Sequence, residues 1–522
     1  MPPDSLNERR FTMKALRVCL APALLSLTLG AGSPCRYREA VRLFLDTMIE
    51  KGTDRYGPEH SPLFAAMLDL DKLALPDVRL PPGYFRKDDL PEALGYGIPA
   101  PPVGIRPTDR SPLGNNLEHD IMLLKTLYAY SELTGERRYA RHASDVLEFW
   151  LKRCQSAATG LMYSGEHASW NFLSESGYGD TYEVFRRFPF WDKLYGIDPE
   201  RALRFADALW LHQIGDKRVG DYSRHARIAA HGAATGAAYP RHAGFYIWAY
   251  ANAYAQTRDP KYIERAELLI ESRTSLRPQP RSLLIEPGAW RSEKSSDPTL
   301  RALLWDAAAL VPSRREEWRA LVRQLDDRAF AEPATERLSS SSGNGSPPPE
   351  VLPLLSKIAE TGRAVTADRG ARSVSVSLSE LWKMDYGDAG YSGRALLNYT
   401  RWRQTGDPRF LKQVEDAAAR YLSAGLQQDT RDLWPRAAGQ AISLMVTLAR
   451  EPKTAPGVRM KYVEFARQTA GLALRVFQKN GLFRADGSAA HYEAITGADD
   501  LLWALLQLDC ELNGCPLELG PI

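Results

Sequence analysis

The chain has 522 residues, 44% of them hydrophobic and 25% charged, and a formal charge of +3, the make-up of an ordinary globular protein. So small a charge over such a length gives no reason to propose nucleic acid as the partner, whose backbone calls for a dense basic face. Length alone allows several domains at roughly 150 residues each, although rings and barrels of repeated units exceed that size as single bodies.

The first 33 residues read as a secretory signal. Arg9, Arg10, Lys14 and Arg17 precede an apolar run from Val18 to Leu29, which ends in Gly30, Ala31, Gly32 and Ser33. A basic flank, a short apolar core and small residues at its end are the marks of such a signal, with Met13 an alternative start. The run is too short to span a bilayer, so a mature chain 34–522 is expected in the periplasm or outside the cell. Cys19 leaves with the signal, and Cys35, Cys154, Cys510 and Cys515 remain. Export permits Cys510 and Cys515 to pair, and none of the four has the spacing of a zinc site.

A recurring phrase organises the rest of the chain. It reads Thr134-Gly-Glu-Arg-Arg-Tyr139, Thr257-Arg-Asp-Pro-Lys-Tyr262 and Thr405-Gly-Asp-Pro-Arg-Phe410. Each copy closes an aromatic-rich apolar helix (121–133, 245–256, 395–404) and opens an amphipathic one (140–151, 263–270, 411–422). Glycine stops the leading helix in the first and third copies, and Asp-Pro caps the next helix in the second and third. Weaker copies stand at Asp198-Pro199 and around Val458 to Tyr462. Repeated helical hairpins predict an all-α fold, an (α/α) toroid or incomplete barrel with few strands; an open helical array is the alternative. The run Ser373 to Leu378 carries a short strand-like alternation. Ser339 to Pro349, SSSSGNGSPPP, marks a flexible insertion at about 335–350 within a single domain. Leu80 to Pro112, rich in proline, is expected to be an irregular wall.

Two neighbourhoods concentrate the chemistry. One holds Tyr163, Glu166, His167, Trp170 and Asn171; the other holds Tyr222, Arg224, His225 and His231, then Tyr239, Arg241, His242 and Tyr246. Mixed His, Arg, Tyr and Glu make poor core, because burying charge without pairing is costly, and loops on a rigid scaffold are where reactive groups tend to sit. Such a set suits β-elimination on a uronic-acid polymer. The substrate carboxylate must be neutralised, a base must take the C5 proton, and an acid must protonate the departing oxygen. Arg241 and His225 are candidates at the carboxylate, with Tyr246, Tyr239 or His242 for proton transfer. Glu166 and His167 can complete the neutralising end, and Trp170 offers a sugar platform. Asn115, Asn116 and His119 open an inner helix, where an Asn either shares the carboxylate contact or caps the helix.

The hairpin phrases, Asp54-Arg-Tyr-Gly57 to Ser61-Pro-Leu, Gly165-Glu-His167 with Trp170, and Arg241-His242 with Tyr246 together resemble the α/α-toroid polysaccharide lyases, and among them the glucuronan and alginate lyase family numbered 38. The resemblance covers most of the mature chain. It implies a tyrosine-based elimination with His, Asn, Glu and Arg around the uronate; the expected partner is an acidic polysaccharide, and no cofactor is expected. A metal-assisted variant would instead use His167, Glu166 and His225 or His242 as ligands for Mn or Zn. A glycoside hydrolase on the same scaffold would need paired carboxylates, for which Glu166, Asp385, Asp388 and Asp499 are available. A non-catalytic carbohydrate-binding protein is the third reading.

Overall fold

The computed structural model describes residues 36–79, 96–230, 232, 239–274, 297–331, 378–384, 390–515 and 517–521. The expected signal peptide, the insertion at 335–350, His231, Asp385, Asp388 and the alternation through 373–377 lie outside these residues. Leu378, its last position, opens a short helix. Residues 34–522 form one compact unit.

The described chain is built from helical hairpins: α1 (Arg36–Thr47), α2 (Ile121–Thr134) with α3 (Arg137–Arg153), α4 (Trp191–Ile197) with α5 (Pro199–Ala208), α6 (Pro240–Thr257) with α7 (Lys261–Thr274), α8 (Pro298–Leu310) with α9 (Arg315–Ala331), the short α10 (Leu378–Trp382), α11 (Tyr391–Thr405) with α12 (Pro408–Ala424), α13 (Pro435–Ala449) with α14 (Pro456–Phe477), and α15 (Ala498–Asn513). In each hairpin the first helix faces inward. Thus α13, small or apolar apart from Arg436 and a few uncharged polar residues, is buried along its whole length, as such a helix must be. Outer α3 buries Tyr139, Ala143, Val146, Leu147 and Trp150 on one stripe and turns its arginines out.

The inner helices pass contact from one to the next, α4 to α6, α6 to α8, α8 to α11, α11 to α13 and α13 to α15, and α15 packs on both α1 and α2. Lys193 of α4 completes the circuit, its ammonium 4.2 Å over the Tyr128 ring of α2. The succession therefore returns to its start, as a toroid requires. The strand pair Met67–Asp69 and His491–Glu493 fastens the two ends of the chain together, with Met67 opposite Glu493.

The repeated phrase has a physical meaning. The threonine hydroxyl donates to the carbonyl four residues back in every copy, Thr134 to Tyr130, Thr257 to Ala253 and Thr405 to Arg401. The same oxygen accepts the N–H two residues on, from Glu136, Asp259 and Asp407. One side chain thus ends the inner helix and sets the turn into the outer one. Asp407 and Asp198 then cap the next helices, α12 and α5. The helices run a few residues beyond the expected bounds because the capped first turns belong to them. Val458 to Tyr462, read as a weak copy, lies inside α14 instead, where Pro456 has already started the helix.

Candidate functional site

The site is assembled where three loops meet the N-terminal end of α6. Thr181–Tyr182 pairs antiparallel with Ala226–Arg227, Tyr182 lying opposite Ala226. The next residue on one strand, Glu183, is thereby brought against the preceding residue on the other, His225. The result is a contact of 2.7 Å between Glu183 Oε2 and His225 Nε2. Arg224 Nε lies 3.1 Å from the other carboxylate oxygen, and His242, in the first turn of α6, places Nε2 3.2 Å from that same oxygen.

His167 arrives from a tight turn. Glu166 N donates to the Glu183 carbonyl, and Gly165 adopts φ +98 so that the two backbones can touch; a Cβ there would stand 2.2 Å from that carbonyl oxygen. Asn116 holds the turn from behind, donating to the Gly165 carbonyl at 2.6 Å and accepting its N–H at 3.0 Å. His167 then lies between two carboxylates. Its Nε2 is 3.6 Å from Glu183 and its Nδ1 3.6 Å from fully buried Asp109, ion-pair separations that place one carboxylate on each side of the ring. Arg106 pairs with Asp109 at 2.6 Å and also with Glu166.

Electrostatics divides these groups. Burial resists the charge on Glu183, but the imidazoles of His167, His225 and His242 crowded against it hold its carboxyl well below the usual range. Burial pushes the Glu166 carboxyl up to about 7, helped by the charge of Glu183, and pushes buried His242 down to about 4 against the pull of Glu183. His167 is shifted upward: burial opposes its charge, and the carboxylates of Glu183, Glu166 and Asp109 outweigh it.

The donor set fits a divalent cation. Donor atoms of His167, Glu183 and His225 all lie within 4.8 Å of one another, as do those of Asp109, Glu166 and His167. Glu183 Oε2 and His225 Nε2, although close, are misaligned for a hydrogen bond and have no other hydrogen-bond partner among the described residues. Their approach to 2.7 Å, with the other donors close by, is a nitrogen and oxygen set that such an ion accepts.

The structure thus brings His167, His225, His242 and Glu166 together, and it places the remaining expected residues in different settings. Tyr239 stacks on His242, with the guanidiniums of Arg224 and Arg241 at 4.7 and 4.2 Å from its ring centre. Tyr246 is fully buried beneath the cluster, edge-on to Tyr222, and burial drives its phenol well above the ordinary value. Trp170 is only 6% exposed and packs edge-on against Phe149, so its ring faces the core. Asn115 is turned inward onto the Phe64 carbonyl and Asp120, and His119 is buried edge-on to Phe185. Glu183, the hub, and Asp109 were absent from the residues picked out by sequence. The available signal was a lone acid inside the aromatic run Tyr182-Glu-Val-Phe185.

The geometry defines a ring of helical hairpins with a histidine–carboxylate centre at its rim. The model of a family described as periplasmic pectate lyase matches residues 106–243, a span that takes in the cluster from Arg106 to His242. Among solved structures, the chain is similar to the GH76A α-1,6-mannanase from Salegentibacter sp. HEL1_6 (11% identity, 91% of this chain, 100% of that one, TM-score 0.38). It is also similar to an unsaturated glucuronyl hydrolase specific for heparin (11%, 93%, 99%, 0.39) and to a D-mannose isomerase (10%, 92%, 99%, 0.42). At these identities no activity passes from those enzymes to this chain. Among the described residues no helix is long and apolar enough to cross a membrane.

Proposed function

We propose that this protein is an exported polysaccharide lyase that cleaves a uronic-acid polymer by β-elimination. The observation that carries the reading is the convergence of three histidines and an arginine on the buried carboxylate of Glu183. Support comes also from the match of this span to the pectate lyase family. His167, Glu183 and His225 are the residues that would hold a divalent cation. Bound there, it would supply positive charge to neutralise the substrate carboxylate.

The protein groups divide the remaining work. Asp109 sets negative charge on the Nδ1 side of His167, and His242 supports Glu183 from within the helix end. Arg224 and Arg241, both partly exposed, supply charge against the carbanion equivalent that forms as the C5–H bond breaks. Tyr239, with both guanidiniums close to its ring, is the phenol to which this reading gives the C5 proton and its return to the departing oxygen. The electron pair of the C5–H bond becomes the C4–C5 double bond as the C4–O bond breaks. Tyr246 and His242, fully buried, support the cluster from below. Galacturonan, glucuronan and alginate are the polymers to try.

The test reads the product. An elimination yields an unsaturated uronate that absorbs in the ultraviolet, and the reading expects that signal with at least one polyuronate, with loss on chelation and recovery on adding Mn or Zn. New reducing ends without absorbance would overturn it in favour of a hydrolase. Polymer binding with neither signal would favour a carbohydrate-binding protein.

A further inference from the structure

Arg106 stands at the edge of the cluster, next to the helical turn Pro107–Asp109. Asp109, three residues on, binds its Nε at 2.6 Å. The outer end of the same guanidinium, Nη2, pairs with the Glu166 carboxylate. The two acids differ in setting. The Asp109 side chain is fully buried and that of Glu166 is 13% exposed, while the arginine they share is 46% exposed. Glu166 in turn lies beside the histidine–carboxylate centre, its Oε1 4.0 Å from His167 Nε2. Its backbone is fixed there, because its N–H donates to the Glu183 carbonyl at 3.1 Å, so the side chain is the part that can swing.

Burial decides which of the two pairs can open. Breaking the Asp109 pair would strand a buried carboxylate without its guanidinium, which is strongly unfavourable. The Glu166 pair is open to water, widely at the arginine, and such a pair is held weakly. The Arg110–Glu493 pair has no such freedom, with side chains only 3% and 2% exposed. A carboxylate arriving from solvent meets the same planar fork at Arg106 that Glu166 meets. It can therefore take the place of Glu166 without changing the number of charges there. That place adjoins the proposed cation ligands, since donor atoms of Glu166 and His167 lie within 4.8 Å of one another.

We propose that Glu166 is a place-holder for the substrate: the carboxylate of the uronate to be cleaved displaces it from Arg106, which thereby becomes a substrate-binding residue. The exchange rests on the reading of the protein as a uronate lyase. It leaves the Arg106–Asp109 pair intact and turns the Glu166 side chain outward. A methyl ester carries no charge to offer in exchange, so the pair discriminates against esterified sugars.

The experiment is a double-mutant cycle on wild type, Glu166→Gln, Arg106→Gln and the double variant. Glutamine at position 106 keeps a donor for Asp109, and thermal unfolding and Mn titration are recorded for each protein. Calorimetry in saturating Mn measures binding of trigalacturonate, triglucuronate and trimannuronate, and of the methyl ester of whichever binds most tightly. The exchange predicts that Glu166→Gln binds the acid trimer about threefold more tightly and Arg106→Gln about tenfold more weakly. Glu166→Gln should then change nothing once Arg106 is replaced, and the ester should be blind to both substitutions. An equal gain in both backgrounds reduces Glu166 to simple repulsion of the ligand and overturns the proposal. So does unchanged or weaker trimer binding by Glu166→Gln, loss of Mn by that variant, or no binding of any trimer by wild type. If Arg106→Gln fails to fold, Arg106→Lys, which keeps the charge and loses the fork, takes its place in the cycle and should remove most of the gain. Should no polyuronate yield unsaturated product while binding follows this pattern, the lyase reading falls and the exchange stands. Product formed with trimer binding indifferent to both substitutions removes the exchange and leaves the lyase reading.

Discussion

Two places in this molecule bury a glutamate with arginine and histidine around it, and they differ in one respect. Around Glu493, Arg110 donates from Nε at 2.7 Å and from Nη2 at 2.8 Å, one bond to each carboxylate oxygen, while His491 lies 3.0 Å from Oε2. The remaining Arg110 nitrogen donates to the Pro99 carbonyl, and Glu493 has no oxygen without a partner. Around Glu183 the residue types are the same, yet Oε2, His225 Nε2 and both His242 ring nitrogens lack aligned partners among the described residues. Composition does not separate a structural pin from a reactive centre; the state of the donors and acceptors does. The first cluster fastens the strand pair that joins the chain ends, and the second, on the function proposed above, is left open for a ligand.

Substitution at the two glutamates should break this symmetry in opposite directions. Glu183→Gln is expected to lower turnover about a thousandfold and to abolish cation retention, with the protein still folded; ultraviolet product absorbance and metal titration measure both. Glu493→Gln should leave kcat of the folded protein within about twofold and destabilise it by about 3–5 kcal/mol in denaturant titration, because Arg110 is then buried unpaired. The reverse pattern would exchange the roles given to the two sites. A second contrast concerns the phenols: Tyr239→Phe is expected to cost about a hundredfold in kcat, whereas Tyr246→Phe, at a buried position where no described residue hydrogen-bonds its hydroxyl, should cost less than about threefold. A large loss at Tyr246 would move proton transfer into the buried layer.

The pH dependence of stability sharpens the comparison further. Burial opposes charge on Glu493, but Arg110 and His491 hold its carboxyl down at about 2, from an ordinary 4.5. A depressed carboxyl contributes stability that is present above its unfolded value and lost as pH falls through the folded one. About 3 kcal/mol should therefore disappear between pH 4.5 and 2. Glu493→Gln removes that contribution, so its stability should fall less steeply across the window than that of the wild type. Equal slopes would refute the assignment.

The hairpins were legible in the residues because a threonine, a glycine or arginine, and an Asp-Pro do local work that spacing records. The ring closure was less so, since it depends on α15 meeting α1 and α2 across the whole chain. Hairpin α8–α9 escaped notice because its turn uses Pro312–Arg314 in place of the repeated phrase. In the site, His167, His225 and His242 stood out as polar residues among glycines and alanines. Glu183 did not, because its partners come from residues 167, 224, 225 and 242 and only strand pairing brings them together. Asn116 was recognised as a polar residue at a helix mouth, but sequence left open whether it would meet a ligand or the backbone. It grips the Gly165 turn.

That turn yields the smallest expected effect and the most local. Gly165 and Gly135 both have positive φ, +98 and +78, so alanine at either strains the backbone by about 1 kcal/mol. At Gly135 nothing lies within 4 Å of an added Cβ, and the turn sits far along α2 from the cluster, so Gly135→Ala should show that cost in unfolding and leave kcat unchanged. At Gly165 the added carbon would meet the Glu183 carbonyl oxygen at 2.2 Å. The strand bearing Glu183 and the turn bearing His167 would have to move apart, and metal ligands tolerate little displacement. Gly165→Ala should therefore lower cation affinity and turnover about tenfold at a stability loss only modestly above that of Gly135→Ala. If the two variants lose stability alike and both retain full activity, then the close approach of these backbones does not set the geometry of the centre, and His167 belongs to the scaffold.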